Sequence, residues 1–244
     1  MSPDVASQRS GVLAALDLKP GERVLDVGAG PGFLAVEMAH AVGPSGSVCA
    51  IDPSESMVNM TEMRCVDCPW VEACLGASDA LPFSDNTFDV VVATQVLEYV
   101  LDVKKSLQEA FRVLRPEGRF LALDTDWDSI AWHSTDNGRM ARVVDAWEEH
   151  LVDPRLPRRL APLLAATGFV VQRREVLPLL NTEYEANSYS HGLVSLIMSF
   201  VATRKGITSD ELLSWAKDLQ KLGETGAYFF NLNRYLFLAS KPSA

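Results

Sequence analysis

Residues 24–32, VLDVGAGPG, set an apolar run and one acid, Asp26, against three glycines. Glycines at this spacing let a backbone come close to a ligand where a strand turns into a helix. Further on, AIDPS (50–54) ends a second apolar run on Asp52. A third group lies in LDTDWDSIAWHS (123–134), where Asp124, Asp126, Trp127, Trp132 and His133 mix titratable groups with aromatic faces. The candidate catalytic residues there are His133, as a general base, and Asp126. Cys65 and Cys68 form a Cys-x-x-Cys pair, with Cys49 and Cys74 close in sequence. No His stands beside them as a further ligand, and Cys on a strand is usually a small core residue, so no metal site is expected.

These groups need elements to hold them. A leading helix is expected over 5–17, stopped by Lys19-Pro20-Gly21. Strands are expected at 22–28, 47–52, 70–76, 88–95, 119–127, 168–180 and 233–240. Helices are expected at 33–42, 53–64, from Asp102 onward, at 136–152 and near 157–166, with 181–226 helical and irregular. The helix after Asp102 carries Val103, Leu107, Phe111 and Leu114 on one face. Strands separated by helix-length segments imply a parallel α/β sheet with right-handed crossovers. Its ligand belongs at the carboxyl ends of the strands, where the strand order reverses, and the glycine loop lies there.

Two ligands suit such a loop, a dinucleotide and S-adenosylmethionine (SAM). The dinucleotide pattern G-x-G-x-x-G is broken. Gly28 and Gly30 fit, but the third position is Phe33, Gly32 comes early, and Pro31 removes an N–H that a pyrophosphate would use. SAM carries no phosphate, and an acid near the loop suits its ammonium and sulfonium. The series VLDVGAGPG, AIDPS, LPFSDNTFDVV (81–91) and LQEAFRVLRPEGRF (107–120) resembles the class I SAM-dependent methyltransferases, over roughly residues 20–127. The nearest subgroup is the small-molecule enzymes, including those of quinone biosynthesis. The resemblance implies a Rossmann-like seven-stranded sheet with the last strand antiparallel and helices on both faces. It also implies SAM as cofactor, with S-adenosylhomocysteine (SAH) as product.

Site roles follow from the resemblance. Asp52 bridges both ribose hydroxyls, a task its two oxygens suit. Asp52-Pro53-Ser54-Glu55 is equally a helix start, so capping is the competing role. Gly28, Ala29, Gly30 and Gly32 shape the turn over the methionine end. Asp26 satisfies loop amides or reaches the ammonium through water, and Thr94 and Gln95 line the methionine side. Pro53 and Met57 stand by the adenosine. Relatives carry Gly-Asp at the end of strand three, where the acid receives the adenine amino group. Here the pair is Gly76-Ala77, leaving Ser78 or Asp79 to substitute.

Lys+Arg 22 against Asp+Glu 32 gives a net charge of −10, which disfavours nucleic-acid partners. Relatives acting on bases carry Asn/Asp-Pro-Pro-Tyr after strand four, where this chain has ATQVLEYV (93–100). No signal peptide is visible, and the run GLVSLIMSFVA (192–202) is too short to insert stably in a membrane, so a cytoplasmic protein is expected. The acceptor is expected to be a small aromatic or apolar molecule, with oxygen the first choice of acceptor atom and carbon the second. Trp127, Trp132, Tyr184, Tyr189 and His191 are the candidate substrate residues. Residues 1–244 read as one domain, with 181–226 as a substrate lid inserted before the last strand. Oligomeric state is not readable. Two other functions stay open, a nicotinamide-dependent dehydrogenase and a SAM-binding protein without catalysis, the latter because of Ala77.

Overall fold

The computed structural model of the protein describes residues 2–243. Strand β1 (Arg23–Val27) is buried from Val24 onward on both faces, as an unbroken apolar run in a central parallel strand requires. β2 (Ser47–Asp52) and β4 (Phe88–Thr94) pair with it in parallel on either side. β3 (Val71–Leu75) extends the sheet beyond β2, and β5 (Leu114–Trp132) extends it beyond β4. β7 (Phe230–Ser240) runs antiparallel between β5 and β6 (Val170–Asn181). The order is β3-β2-β1-β4-β5-β7-β6, so the seven-stranded sheet read from the sequence is the one observed. The chain winds outward from β1 to β3, then returns to lay β4 on the other side of β1. That return opens a crevice at the carboxyl ends of β1 and β4.

Side-chain alternation divides the sheet into two faces. Val90 and Val92 join a core with Val12 and Leu16 of α1 (Pro3–Leu16) and Met38 of α2 (Phe33–Val42). Val91 and Ala93 face the opposite way, onto α4 (Val103–Val113) and α6 (Pro157–Thr167). α4 forms where expected: Asp102 accepts the Lys105 N–H at 3.0 Å, and Val103, Leu107, Ala110 and Val113 are buried as one stripe. α3 (Glu55–Arg64) packs on β2 and β3 beside the glycine loop. Cys65 and Cys68 are buried in the α1–α2 core, and no cluster able to hold a metal occurs among the described residues.

A third core fills the carboxyl half. α5 (Asn137–Trp147), α7 (Tyr189–Val201) and α8 (Ser209–Glu224) enclose Trp127, Trp132, Trp215 and Phe230. Trp215 is fully buried, its ring edge-on to Trp132 at 5.4 Å. Among the described residues no helix is long and apolar enough to cross a membrane.

β5 is longer than the 119–127 strand expected. It spans Leu114–Trp132, with register shifts on both sides of its middle. The RPEG segment bulges out between the pairings Phe88↔Leu114 and Val90↔Arg119, with Glu117 in the left-handed region at φ 66°. Residues 127–130 bulge out in the same way before Ala131 and Trp132 rejoin β7. The second bulge matters for function, because it carries the end of β5 away from the crevice.

Candidate active site

The glycine loop leaves β1 at Val27 and turns over the end of β2. Gly28 and Ala29 donate their N–H groups to the Ile51 carbonyl at 2.7 and 3.1 Å. Gly28 has φ +68°, and a Cβ there would lie 2.4 Å from a Val96 methyl. Gly32 has φ +77°, and a Cβ there would lie 2.9 Å from the Thr61 backbone of α3. Glycine is required at both positions by conformation and by space. Thr61 and Arg64 of α3 then fasten the loop, donating to the carbonyls of Gly30 and Pro31.

Asp52 stands opposite this loop at the end of β2. Its Oδ2 accepts the Gly30 N–H and its Oδ1 the Ser54 N–H, each at 2.9 Å. Each oxygen keeps a further lone pair. The carboxylate forms part of the wall of a cavity of about 710 Å³. Pro53, Met57, Ala77, Ser78 and Asp79 continue that wall on one side. Gln95, Val96, Tyr99, Val100 and Leu101 close the other. The Ser78 hydroxyl is 2.8 Å from that of Ser106 on α4, which ties it to the protein and leaves Asp79 as the free-standing acid of the pair.

A second cavity, about 290 Å³, lies on the far side of the loop under α1. Gln8, Arg9 and Val12 of α1 line it, with Thr94, Leu123 and Arg234. The two cavities share Gly28, Gly30 and Gln95 as walls. Gln95 is held in the left-handed region, φ 58°, a strained position for a residue with a side chain. Its N–H donates to the Leu123 carbonyl at 2.6 Å, and its Oε1 accepts the Thr125 hydroxyl at 3.0 Å. The sheet edge therefore fixes this side chain between the cavities.

Three carboxyl groups lie buried behind these walls. Asp26 is 1% exposed, and its Oδ2 has no hydrogen-bond partner among the described residues. Burial, with the charge of Asp52 added, pushes it up to about 7. Asp26 is in the wall of neither cavity, lies on the face of β1 shared with Val24, and takes none of the loop amides, which go to Ile51, Asp52 and Ala29. Glu98 and Asp124 are both fully buried. Burial pushes both upward, and their proximity adds to the rise of Glu98. Asp124 Oδ1 accepts the N–H groups of Val96 and Glu98, so it holds the turn after β4 in place.

The residues expected to form the acceptor site do not come together. His133 is exposed and beyond the second β5 bulge, its N–H bonded to the Phe229 carbonyl at 2.9 Å. Leu123 pairs with Leu236 near the crevice and Trp132 pairs with Phe230; these β7 positions are six strand steps apart, about 20 Å. The structure therefore does not bring His133 to the crevice. Asp126 makes a two-pronged ion pair with Arg158, at 2.7 and 3.0 Å, and is a structural anchor for α6. Trp127 packs on Trp147 and His150, and Trp132 donates its indole N–H to the Tyr228 hydroxyl at 3.1 Å. Both belong to the third core, as aromatic residues with large apolar faces usually do. Tyr184 and His191 meet in a tilted contact, ring centroids 5.0 Å apart, beside α8 and line neither cavity. Tyr189 alone borders the crevice side, its ring 5.0 Å from the Arg234 guanidinium.

Sequence reasoning missed Gln8, Arg9, Tyr99 and Arg234. One signal was available: Arg234 is the single charge in NLNRYLFLA, a strand of otherwise uncharged residues.

A glycine loop and a carboxylate around a large cavity, at the switch point of the sheet, define a Rossmann-like protein with a ligand-sized site. A methyltransferase-domain family model matches residues 25–122. The demethylmenaquinone methyltransferase of Symbiobacterium thermophilum is 30% identical over 190 residues, 68% of this chain and 76% of that enzyme. The chain belongs to the class I SAM-dependent methyltransferases, whose cofactor is SAM. An uncharacterised 37.1 kDa protein in transposon TN4556 of Streptomyces fradiae is 39% identical over 170 residues, covering 68% of this chain. The chain spans about half the length of that relative, 48%. Among solved structures, a Bacillus halodurans C-125 protein superposes with a TM-score of 0.71 at 18% identity, covering 97% of this chain and 100% of that one.

The residues present fit SAM. The cavity is of ligand size, Gly30 in its wall faces open space, and a two-oxygen acceptor stands at one end.

Proposed function

We propose that this chain transfers a methyl group from SAM to a small acceptor at the junction of the two cavities. The carrying observation is Asp52, held by the Gly30 and Ser54 amides in the wall of a cavity that also contains the glycine loop. Asp52 holds the ribose hydroxyls, and Gly28, Ala29 and Gly30 pass over the methionine end. Met57 and Pro53 pack on the adenosine, and Asp79 takes the adenine amino group in place of the acid that Ala77 lacks. Thr94 and Gln95 face the methionine side. Bound SAM supplies an electrophilic methyl on a sulfonium. The protein's own part is to orient the acceptor and exclude water, and such alignment is worth on the order of 7–11 kcal/mol.

Tyr99, Val100 and Leu101, on the rim of the larger cavity, suit an apolar or aromatic acceptor. The likeness to the ubiquinone/menaquinone biosynthesis C-methyltransferase of Vibrio campbellii, 34% identical over 140 residues, favours carbon over oxygen as the acceptor atom, reversing the preference drawn from sequence. Residues 181–226 act as a cap on the acceptor side, seated through Tyr189, and residues 1–244 work as one domain.

The test is to incubate the protein with SAM and a panel of unmethylated quinols and phenols, following SAH and product mass. The expected result is SAH formed together with a C-methylated ring. SAM binding with no SAH from any acceptor supports instead a SAM-binding protein without catalysis. Binding of NADH without SAM overturns the reading altogether. In the same assay His133→Ala is expected to keep the wild-type rate and pH profile. A flattened profile would return His133 to the mechanism.

A further inference from the structure

Arg234 is 8% exposed and lies in the wall of the cavity under α1. It sits on β7, between Thr125 of β5 and Leu177 of β6. Its Nη1 donates to Gln8 Oε1 at 2.7 Å, and Gln8 Nε2 donates to the Leu177 carbonyl at 2.8 Å. The second bond fixes which end of the Gln8 amide meets the guanidinium. Arg234 Nε is buried with no partner, and no carboxylate lies within 4.0 Å of the guanidinium among the described residues. Every other guanidinium in that wall is spent: Arg9 pairs with Glu37 at 3.0 Å. A charge this deeply buried is costly unless an opposite charge meets it. Glu98 and Asp124 feel its charge, but neither forms an ion pair with it, so they take none of its donors.

We propose that Arg234, oriented by Gln8, is a carboxylate-binding site facing the cavity beneath α1. A guanidinium with unspent donors is the side chain best matched to a carboxylate, which it can take side-on through two parallel bonds. The Tyr189 ring, 5.0 Å away, limits the approach on one side, and its hydroxyl is within reach of one guanidinium donor, which an incoming carboxylate would have to share or displace. Two sources of that carboxylate meet the same chemistry: the amino-acid end of the cofactor, or an acid group on the acceptor. Gly28, Gly30 and Gln95, common to both cavities, make either source reachable. The first source rests on the methyltransferase reading; the second needs only the site.

The experiment compares wild type, Arg234→Met, Arg234→Lys and Gln8→Ala by calorimetric titration with three probes. These are SAH, 5′-methylthioadenosine, which lacks the amino-acid end, and benzoate added to the SAH-saturated protein. A cofactor carboxylate predicts SAH binding about 10-fold or more weaker in Arg234→Met, with 5′-methylthioadenosine unchanged. Arg234→Lys, which keeps the charge and the fold but loses the fork, is expected to fall between. Gln8→Ala should give a smaller loss in the same probe. An acceptor carboxylate predicts unchanged nucleoside binding and loss of the benzoate signal in Arg234→Met and Arg234→Lys. Equal weakening of SAH and 5′-methylthioadenosine, or no change with any probe, overturns the site. Failure of wild type to bind either nucleoside overturns the cofactor reading, and the benzoate titration of the free protein then decides the site alone.

Discussion

Asp52→Ala is expected to weaken SAM and SAH together by about 100-fold, with the protein still folded. Both ligands share the ribose, so a ribose contact cannot distinguish them. The carboxylate is already fixed by two backbone N–H donors, and so presents its remaining lone pairs without further ordering. Hydrogen bonds to a charged group contribute roughly 1.5–3 kcal/mol each, and water entering the gap returns part of that. A net loss of about 2.7 kcal/mol corresponds to the 100-fold stated. The same substitution frees the Gly30 N–H, so the loop itself loosens and a small drop in Tm accompanies the loss of affinity. Asp52→Asn keeps one acceptor oxygen and should fall between. Titration calorimetry and thermal denaturation on the same samples separate the roles. Unchanged affinity with a large fall in Tm would mean that Asp52 serves only the start of α3.

The cofactor half of this site was legible because its requirements are local. A strand, a turn demanding positive φ and a helix follow one another within VLDVGAGPG and its continuation, and nothing distant is needed to recognise them. Asp52 was legible for the same reason, as the last residue of an apolar strand. The acceptor half depends on where distant segments meet. Placing His133 and Trp132 at the crevice assumed that β5 stops near 127, whereas a bulge at 127–130 lets the strand continue along β7 into another core. No residue in DSIAW announces that continuation; it is set by pairing with residues a hundred positions away. Arg234 and Gln8 are the mirror case. They are 226 residues apart and meet only because β7 inserts beside β5 while α1 folds across it. Aromatic clusters in sequence read as a binding surface, yet Trp127, Trp132 and Trp215 had a simpler use, filling the space under three helices.

Asp26→Asn is expected to raise stability above neutral pH and to remove part of its decline with pH. In the folded protein the Asp26 carboxyl is pushed up to about 7 from an ordinary 3.8, by burial first and then by the charge of Asp52. The folded state therefore holds this proton more tightly than the unfolded chain does. Its contribution to stability is complete below about 3.8 and is lost as pH rises through 7. A shift of that size corresponds to on the order of 2–4 kcal/mol across the interval. Asparagine has nearly the same shape and no charge to bury, so the variant should lack this decline. Glu98 and Asp124, also raised by burial, remain in both proteins and contribute the same background slope to each. Urea denaturation of wild type and variant from pH 4.5 to 8.5 isolates Asp26 as the difference between the two curves. That difference should widen in favour of the variant up to about pH 8 and then level. A constant difference over the whole range would mean that Asp26 does not titrate there. It would also mean that the orphaned Asp26 oxygen is matched by a donor, and that the end of β1 carries a fixed charge instead of a neutral acid.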